Sequence, residues 1–110
     1  MVIDFEQIEE KAFPQFKGGE GITRTRAFDD GAVKMMRGRL MPGCTIGFHA
    51  HETSSEAIYI LSGEARVLYD DGEERLQAGQ CHYCPKGHSH SLINASATEP
   101  LVYFAVVPEQ

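Results

Sequence analysis

Short alternating segments separated by turn residues dominate the chain from Thr23 onward, and no helical period extends beyond two turns. Segments such as EAIYIL and LVYFAVV are rich in β-branched and aromatic residues, as strands are. Glycine, proline and an Asp-Gly pair separate them, as in tight turns. About eight strands at this spacing favour an all-β sandwich or barrel.

Length and composition are those of one domain. A chain of 110 residues can build a single hydrophobic core but not two. Its hydrophobic content of 42% and charged content of 24% are near globular averages, which excludes extended disorder. We expect an N-terminal strand and loop segment over residues 1–28, packed on the barrel or on a partner, and a β-barrel over residues 29–110.

Charge and hydropathy restrict the partners. The 10 basic and 16 acidic residues give a net charge of −6, the wrong sign for holding a phosphate backbone. No apolar run approaches the roughly 18 residues needed to cross a bilayer, and the acidic start MVIDFEQIEE does not resemble a signal peptide. We therefore expect a cytoplasmic protein with no nucleic-acid partner and no membrane partner.

Three cysteines, Cys44, Cys81 and Cys84, form an odd set that favours reduced thiols over a disulfide framework. Cys81 and Cys84 form a C-x-x-C pair, which raises a zinc or redox alternative. Because QCHYCP is typical of a strand, residues three apart point to opposite faces and the two sulfur atoms do not converge.

The stretch GCTIGFHAHETSSEAIYILSG sets several polar ligand atoms beside apolar strand residues. Residues two apart in a strand share a face, so His49 and His51 project together. Glu56 begins the next strand after a short polar turn, and His90 lies in a later strand. A buried carboxylate is costly unless a cation compensates its charge, and imidazole nitrogens can share that cation. The alternative is a set of solvated or hydrogen-bonded histidines without a metal.

The spacing of these residues resembles the two motifs of the cupin superfamily. The motif positions are Gly43, His49, His51, Glu56 and Gly63 in the first motif, and Gly79, Pro85, Gly87, His90 and Asn94 in the second. All positions are filled, and 15 residues separate the motifs. The resemblance implies a double-stranded β-helix, or jelly-roll, barrel with a metal in its mouth, held by His49, His51, Glu56 and His90.

The implied ligand set of three imidazole nitrogens and one carboxylate oxygen leaves about two positions open on an octahedral ion. We expect one divalent transition metal per chain, iron or manganese first, then nickel or zinc. Open positions favour an enzyme acting on a small oxygen-rich molecule, of the dioxygenase, decarboxylase or isomerase type. The alternative is a non-catalytic binding or sensing module with the same metal, because one fold hosts both.

A substrate pocket is expected beside the metal. With strand parity taken from the metal ligands, Ile58, Ile60 and Leu92 point inward, and Phe104 or its neighbour Tyr103 forms the far wall. The predicted pocket is narrow and mostly apolar, which suits a small ligand.

Several charged or titratable residues near the motifs are further candidates. Arg24 and Arg26 share a strand face and could clamp a carboxylate substrate, or could form a solvated face or ion pairs with acidic residues. By alternation His88 faces the same way as His90 and could act as a general base at the rim. His82 is expected to face solvent or a partner subunit.

Outward-pointing Tyr59 and Leu61 would form an exposed apolar patch on an isolated barrel. The resemblance implies that such barrels pair, often with the N-terminal strand added to the neighbour's sheet, which also covers an open edge. We expect a homodimer that takes a small-molecule ligand or substrate.

Overall fold

The computed structural model describes residues 1–110 and is built almost entirely of β-strands. Two 3₁₀ turns, Phe5–Gln7 and Phe16–Gly18, lie in the N-terminal part. No helix of the chain is long and apolar enough to cross a membrane. The ten strands are β1 (Lys11–Pro14), β2 (Ile22–Asp29), β3 (Val33–Leu40), β4 (Thr45–Ala50), β5 (Glu56–Ser62), β6 (Glu64–Tyr69), β7 (Gly72–Gln77), β8 (Cys81–Cys84), β9 (Ser89–Asn94) and β10 (Leu101–Pro108).

The strands form two antiparallel sheets. One sheet has six strands in the order β1-β2-β3-β10-β5-β8, and the other has four in the order β4-β9-β6-β7. Strands distant in sequence are neighbours, since β10 lies between β3 and β5, and this is the connectivity of a jelly roll. The predicted all-β, jelly-roll architecture in a single domain is confirmed.

Apolar side chains from both sheets fill the space between them. The six-stranded sheet contributes Leu40, Ile60 and Leu101, and the four-stranded sheet contributes Val67 and Leu92, none more than 1% exposed. Burying each such side chain contributes about 1.5–3 kcal/mol to stability. The core therefore holds the two sheets together face to face.

Strand β5 shows the alternation that the sequence predicts. Ile58 and Ile60 are 2% and 0% exposed, whereas Tyr59 and Leu61 are 44% and 45% exposed. Strand β8 alternates in the same way, and its two cysteines are on opposite faces, with one thiol exposed and the other buried.

The N-terminal segment is tied to the six-stranded sheet. Strand β1 pairs with β2 at the sheet edge, and ion pairs join Glu6 to Arg37 and Glu10 to Arg39 on β3. Strand β2 continues to Asp29, across the predicted limit between residues 1–28 and 29–110. The division of the chain at that limit stays a prediction.

Candidate metal centre

Four polar side chains from three different strand regions converge between the sheets. His49 is on β4, His51 follows its end, Glu56 begins β5, and His90 is on β9. One ligand atom from each of the four lies within 4.8 Å of those of the other three. His51, Glu56 and His90 are each at most 9% exposed. We call these four residues the cluster, and the sequence-predicted ligands are the ones that the fold brings together.

A local irregularity in β4 aims His49 at the cluster. The pairing of β4 with β9 shifts between Ile46, opposite Leu92, and His49, opposite His90. Two residues of β4, Gly47 and Phe48, thus lie opposite the single Ser91 of β9, which is the signature of a β-bulge. As a result Ile46 packs in the core and His49 still faces inward, although strict alternation would place the two on opposite faces.

The nitrogen and oxygen atoms of the cluster nearly touch. Nε2 of His51 and Nε2 of His90 are 2.9 Å apart, and Oε1 of Glu56 lies 3.1 Å from the first and 3.0 Å from the second. If both nitrogens donate to Oε1, no proton is left for the 2.9 Å contact between the two nitrogens. A cation between them satisfies all three at once.

Hydrogen bonds to Nδ1 orient two of the imidazoles. Nδ1 of His49 lies 2.7 Å from the carbonyl of Gly47, and because a carbonyl only accepts, the proton is on Nδ1. Nδ1 of His51 is 2.9 Å from the hydroxyl of Ser54. The carbonyl fixes the tautomer of His49 and leaves its Nε2 to bind an ion, and the hydroxyl of Ser54 does the same for His51 when it accepts.

The protonation states of Glu56 and His49 are those that a metal requires. Burial would raise the pKa of Glu56, but hydrogen bonds from His51 and His90 outweigh burial and lower the pKa to about 2. Burial lowers the pKa of His49. At neutral pH the cluster therefore presents an anionic carboxylate and a neutral His49. Imidazole nitrogen with carboxylate oxygen suits iron, manganese, nickel or zinc, so the cluster can hold a divalent transition metal.

The cluster forms part of the wall of a central cavity of about 380 Å³. Apolar wall residues include the inward-pointing Ile58 and Leu92, as the sequence predicts, together with Ile46 and Tyr103. The cavity is more polar than predicted, because only eight of its 18 lining residues are hydrophobic. Its volume is at the small end of the range for ligand sites.

Two predicted wall residues, Ile60 and Phe104, lie elsewhere. Ile60 points inward but is part of the packed core rather than the cavity wall. Phe104 packs edge-on against Phe5 outside the barrel, with ring centroids 5.4 Å apart. Tyr103 takes the inward place at 1% exposure, so the wall residue of β10 is Tyr103 and not Phe104.

Arg24 and Arg26 share a strand face, but it is the outer one. The neighbouring Thr23 and Thr25 are the buried residues of β2, and alternation turns both arginines away from the cavity. Arg26 instead donates to the carbonyl of Ile8 and holds the N-terminal segment on the sheet. The sequence-based expectation that the arginines face a substrate is corrected by this placement.

His88 also lies outside the cavity. It precedes β9, so strand alternation does not apply to it, and its Nδ1 donates to the carboxylate of Asp70 at 2.6 Å. Its ring stacks on Tyr69, with centroids 5.7 Å apart. His88 therefore does not face the metal cluster as predicted.

His82 was expected to face solvent or a partner, and this was wrong. The residue is 2% exposed, and its Nε2 is 3.1 Å from Nδ1 of His90. Burial lowers its pKa, so the ring is neutral at pH 7. The alternation of β8 could have revealed this position, since His82 shares a face with the buried Cys84.

Comparison with known families identifies the fold. The chain matches the Cupin domain model over residues 36–107, a range that contains the whole cluster. The chain is a cupin. The resemblance seen in its sequence motifs is thereby confirmed.

Relatives of this cupin include proteins described in terms of oxalate. It is 32% identical over 114 residues to the oxalate-binding protein of Thermotoga maritima, and the match covers 97% of this chain and 93% of that protein. It also matches the crystal structure of a predicted oxalate decarboxylase from Thermotoga maritima, with a TM-score of 0.91, 27% identity and full coverage of both chains.

More distant structures share the fold alone. An RmlC-like cupin from Shewanella frigidimarina matches with a TM-score of 0.81 and 16% identity, covering 99% of this chain and 90% of that one. The architecture is thus retained at sequence identities too low to carry a function.

Proposed function

We propose that this cupin binds a small chelating carboxylate, with oxalate as the first ligand to test, at a divalent transition metal held by His49, His51, Glu56 and His90. The observation that carries the proposal is the convergence of these four side chains on one point in the wall of a small cavity. Iron or manganese is proposed first, then nickel or zinc. The metal would supply Lewis acidity and open coordination positions for carboxylate oxygens.

Two lysines support an anionic ligand. Lys17 and Lys34 both line the cavity. Neither forms an ion pair within 4.0 Å, although the chain has an excess of acidic residues. A free ammonium group at a cavity wall attracts a carboxylate and is neutralised by it. Sequence reasoning did not select these lysines, because single lysines in a strand and a turn carry no motif.

Tyr103 supports a ligand rich in oxygen. Its hydroxyl is buried, lacks a hydrogen-bond partner, and belongs to a residue that lines the cavity. Burial raises the pKa of the phenol, and the nearby Glu56 carboxylate raises it further, so the group stays protonated at neutral pH. A buried unpaired hydroxyl is costly, and a shift of the ring that lets it donate to a ligand oxygen would remove that cost.

The relatives support the choice of oxalate. The protein of Thermotoga maritima at 32% identity is named for oxalate binding, and its match covers nearly all of both chains. A cavity of about 380 Å³ accommodates a two-carbon dicarboxylate readily.

Titration calorimetry with oxalate tests the proposal. Metal-loaded protein should bind oxalate and metal-free protein should not, because the ligand needs the cation. Lys34→Met should weaken binding about tenfold by removing a charge-assisted contact. The matched control is Lys86→Met, since Lys86 lies outside the cavity and donates to the carbonyl of Gln110. Equal affinity with and without metal, or no oxalate binding by the loaded protein, would overturn the proposal.

Decarboxylation is the second candidate, supported by the solved relative described as a predicted oxalate decarboxylase. In that reaction of the oxalate monoanion the carbon–carbon bond breaks, one carbon leaves as carbon dioxide, and the proton joins the other carbon to give formate. Release of both products by metal-loaded protein would assign an enzyme. Oxalate binding without product, and without oxygen consumption on a panel of keto acids and diketones, would assign a binding module.

A further inference from the structure

A buried histidine outside the cluster connects one of its ligands to an acidic residue. His82 has a side chain 1% exposed, between Glu74 on β7 and His90 on β9. Nδ1 of His82 is 2.7 Å from Oε1 of Glu74, and Nε2 of His82 is 3.1 Å from Nδ1 of His90. Both ring nitrogens of His82 therefore have a partner: Nδ1 contacts the carboxylate of Glu74, and Nε2 contacts the cluster residue His90.

The contact between His82 and Glu74 determines which atom donates in both hydrogen bonds of His82. A carboxylate only accepts, so the single proton of a neutral His82 is on Nδ1, and its Nε2 becomes an acceptor. The group that faces this acceptor, Nδ1 of His90, must then donate. A proton of His90 is thereby placed on Nδ1, and its Nε2 faces Glu56 and His51 in the cluster, where it would bind a cation once its own proton has left.

This arrangement differs from that of the other two histidines. His49 and His51 obtain their Nδ1 contacts from nearby residues, Gly47 and Ser54, within three positions along the chain. His90 obtains its contact through His82, which lies on the opposite sheet. Orientation of this ligand thus depends on the packing of the two sheets against each other.

Packing around His82 holds its ring in place. The edge of the Tyr69 ring meets it with centroids 5.2 Å apart and planes at 77°. Glu74 shares the inner face of β7 with the buried Leu76 and is still 46% exposed through its side chain. The carboxylate can therefore remain solvated and charged while it accepts from the buried imidazole.

We propose that Glu74 and His82 are a positioning pair that fixes the tautomer and orientation of His90 and strengthens metal binding by the cluster. The inference rests on the proposed metal site. Outer contacts of this kind change metal affinity by about 10- to 100-fold when they are removed. Neither residue would contact the metal or a bound carboxylate directly, and both act through His90.

Metal affinity measured by chelator competition tests the pair. His82→Leu should raise the dissociation constant for manganese or zinc about 10- to 100-fold. His82→Gln should restore most of the affinity, because its amide can accept from His90 and donate to Glu74. Glu74→Ala should weaken binding several-fold, and its half-exposed position makes it the variant of choice if His82→Leu does not fold. Glu73→Ala, on the same strand and paired with Arg66, is the matched control and should stay within about twofold.

Nitrogen-15 NMR of the metal-free protein gives a readout that does not depend on metal. The wild-type protein should show a proton on Nδ1 of His90, and His82→Leu should show that position only partly protonated. If the wild-type protein binds no metal but carries this Nδ1 proton, the proposed function and the effect of the pair on metal binding fail, and only the role of the pair in orienting His90 stands. Affinity unchanged in both His82→Leu and Glu74→Ala, or failure of folded His82→Gln to restore it, would overturn the pair.

Some of the same side chains could instead bind a second metal ion, and a metal titration distinguishes the two possibilities. His82, Cys84 and His90 form a second group whose ligand atoms could hold an ion. Uptake of a second metal equivalent that Cys84→Ser removes would assign His82 as a ligand and contradict the positioning role. A single equivalent in both the wild type and Cys84→Ser is the result that the hydrogen-bonded pair predicts.

Discussion

At the scale of single residues, burial and hydrogen bonding together set the charge of each group. Glu56 is 9% exposed, yet its hydrogen bonds with two imidazoles keep the pKa near 2, so it is ionised over the whole ordinary pH range. Cys84 is fully buried without such compensation, and burial raises its pKa to about 11. Burial thus has opposite outcomes at the two residues. Hydrogen bonds outweigh its effect on the pKa of Glu56, whereas it determines the pKa of Cys84.

The two thiols of β8 should consequently react at very different rates. At pH 8 iodoacetamide should modify Cys81 and leave Cys84 untouched, because Cys84 is both inaccessible and protonated, and only the thiolate reacts. Peptide mass spectrometry of the folded protein measures this difference. In urea both thiols should react alike. Modification of Cys84 at the rate of Cys81 in the folded protein would contradict the described burial.

At the scale of elements, the bulge in β4 depends on close contact with the turn Phe16–Gly18. A Cβ atom added to Gly47 would lie 2.0 Å from the carbonyl oxygen of Lys17 and 2.7 Å from the amide nitrogen of Gly19. The carbonyl of Gly47 also accepts from Nδ1 of His49. One residue without a side chain thus joins the N-terminal segment, the cavity wall and a cluster histidine.

Gly47→Ala should lower the free energy of unfolding by about 3 kcal/mol, because backbone atoms on both sides cannot move away easily. Chemical denaturation measures the change. The control is Gly72→Ala, where the added Cβ would be in ordinary contact with the carbonyl of Tyr69 at 3.6 Å and should change stability by about 0.5 kcal/mol or less. Equal stability of the two variants would show that Gly47 is not in this close contact.

Strand parity explains which site residues could be predicted from sequence. The cluster was predicted because its residues fill the spaced positions of two motifs, and the inward direction of Ile58 and Ile60 was predicted because β5 alternates. On β2 the buried residues are the polar Thr23 and Thr25, so nothing in the sequence indicates that Arg24 and Arg26 point outward. On β10 the adjacent aromatic residues are equally suited to either face.

Irregular backbone positions account for the other differences between the sequence-based predictions and the structure. The bulge in β4 has no signature apart from a glycine, and His88 lies in a turn, where alternation does not apply. The burial of His82 could have been inferred from its neighbour Cys84, but its contact with His90 joins strands of two sheets and depends on the tertiary fold.

At the scale of the whole molecule, the outer and inner faces of the sheets have different characters. The outer face of β5 and β8 exposes Tyr59, Leu61 and Tyr83, each at least 44%. These side chains form the apolar patch from which the sequence predicts a homodimer, and the homodimer stays a prediction. The inner faces together enclose the cluster and its cavity, so the proposed chemistry needs only one barrel.

The most direct test of the account is the metal content per chain after reconstitution, measured by elemental analysis beside a circular-dichroism spectrum of the fold. The wild type should hold about one divalent transition metal per chain, whereas His51→Ala and Glu56→Gln should each lose most of it and keep the β-sheet spectrum. His88→Ala, outside the cavity, should retain the metal. Stoichiometric metal in both cluster variants, or none in the wild type, would contradict the central claim.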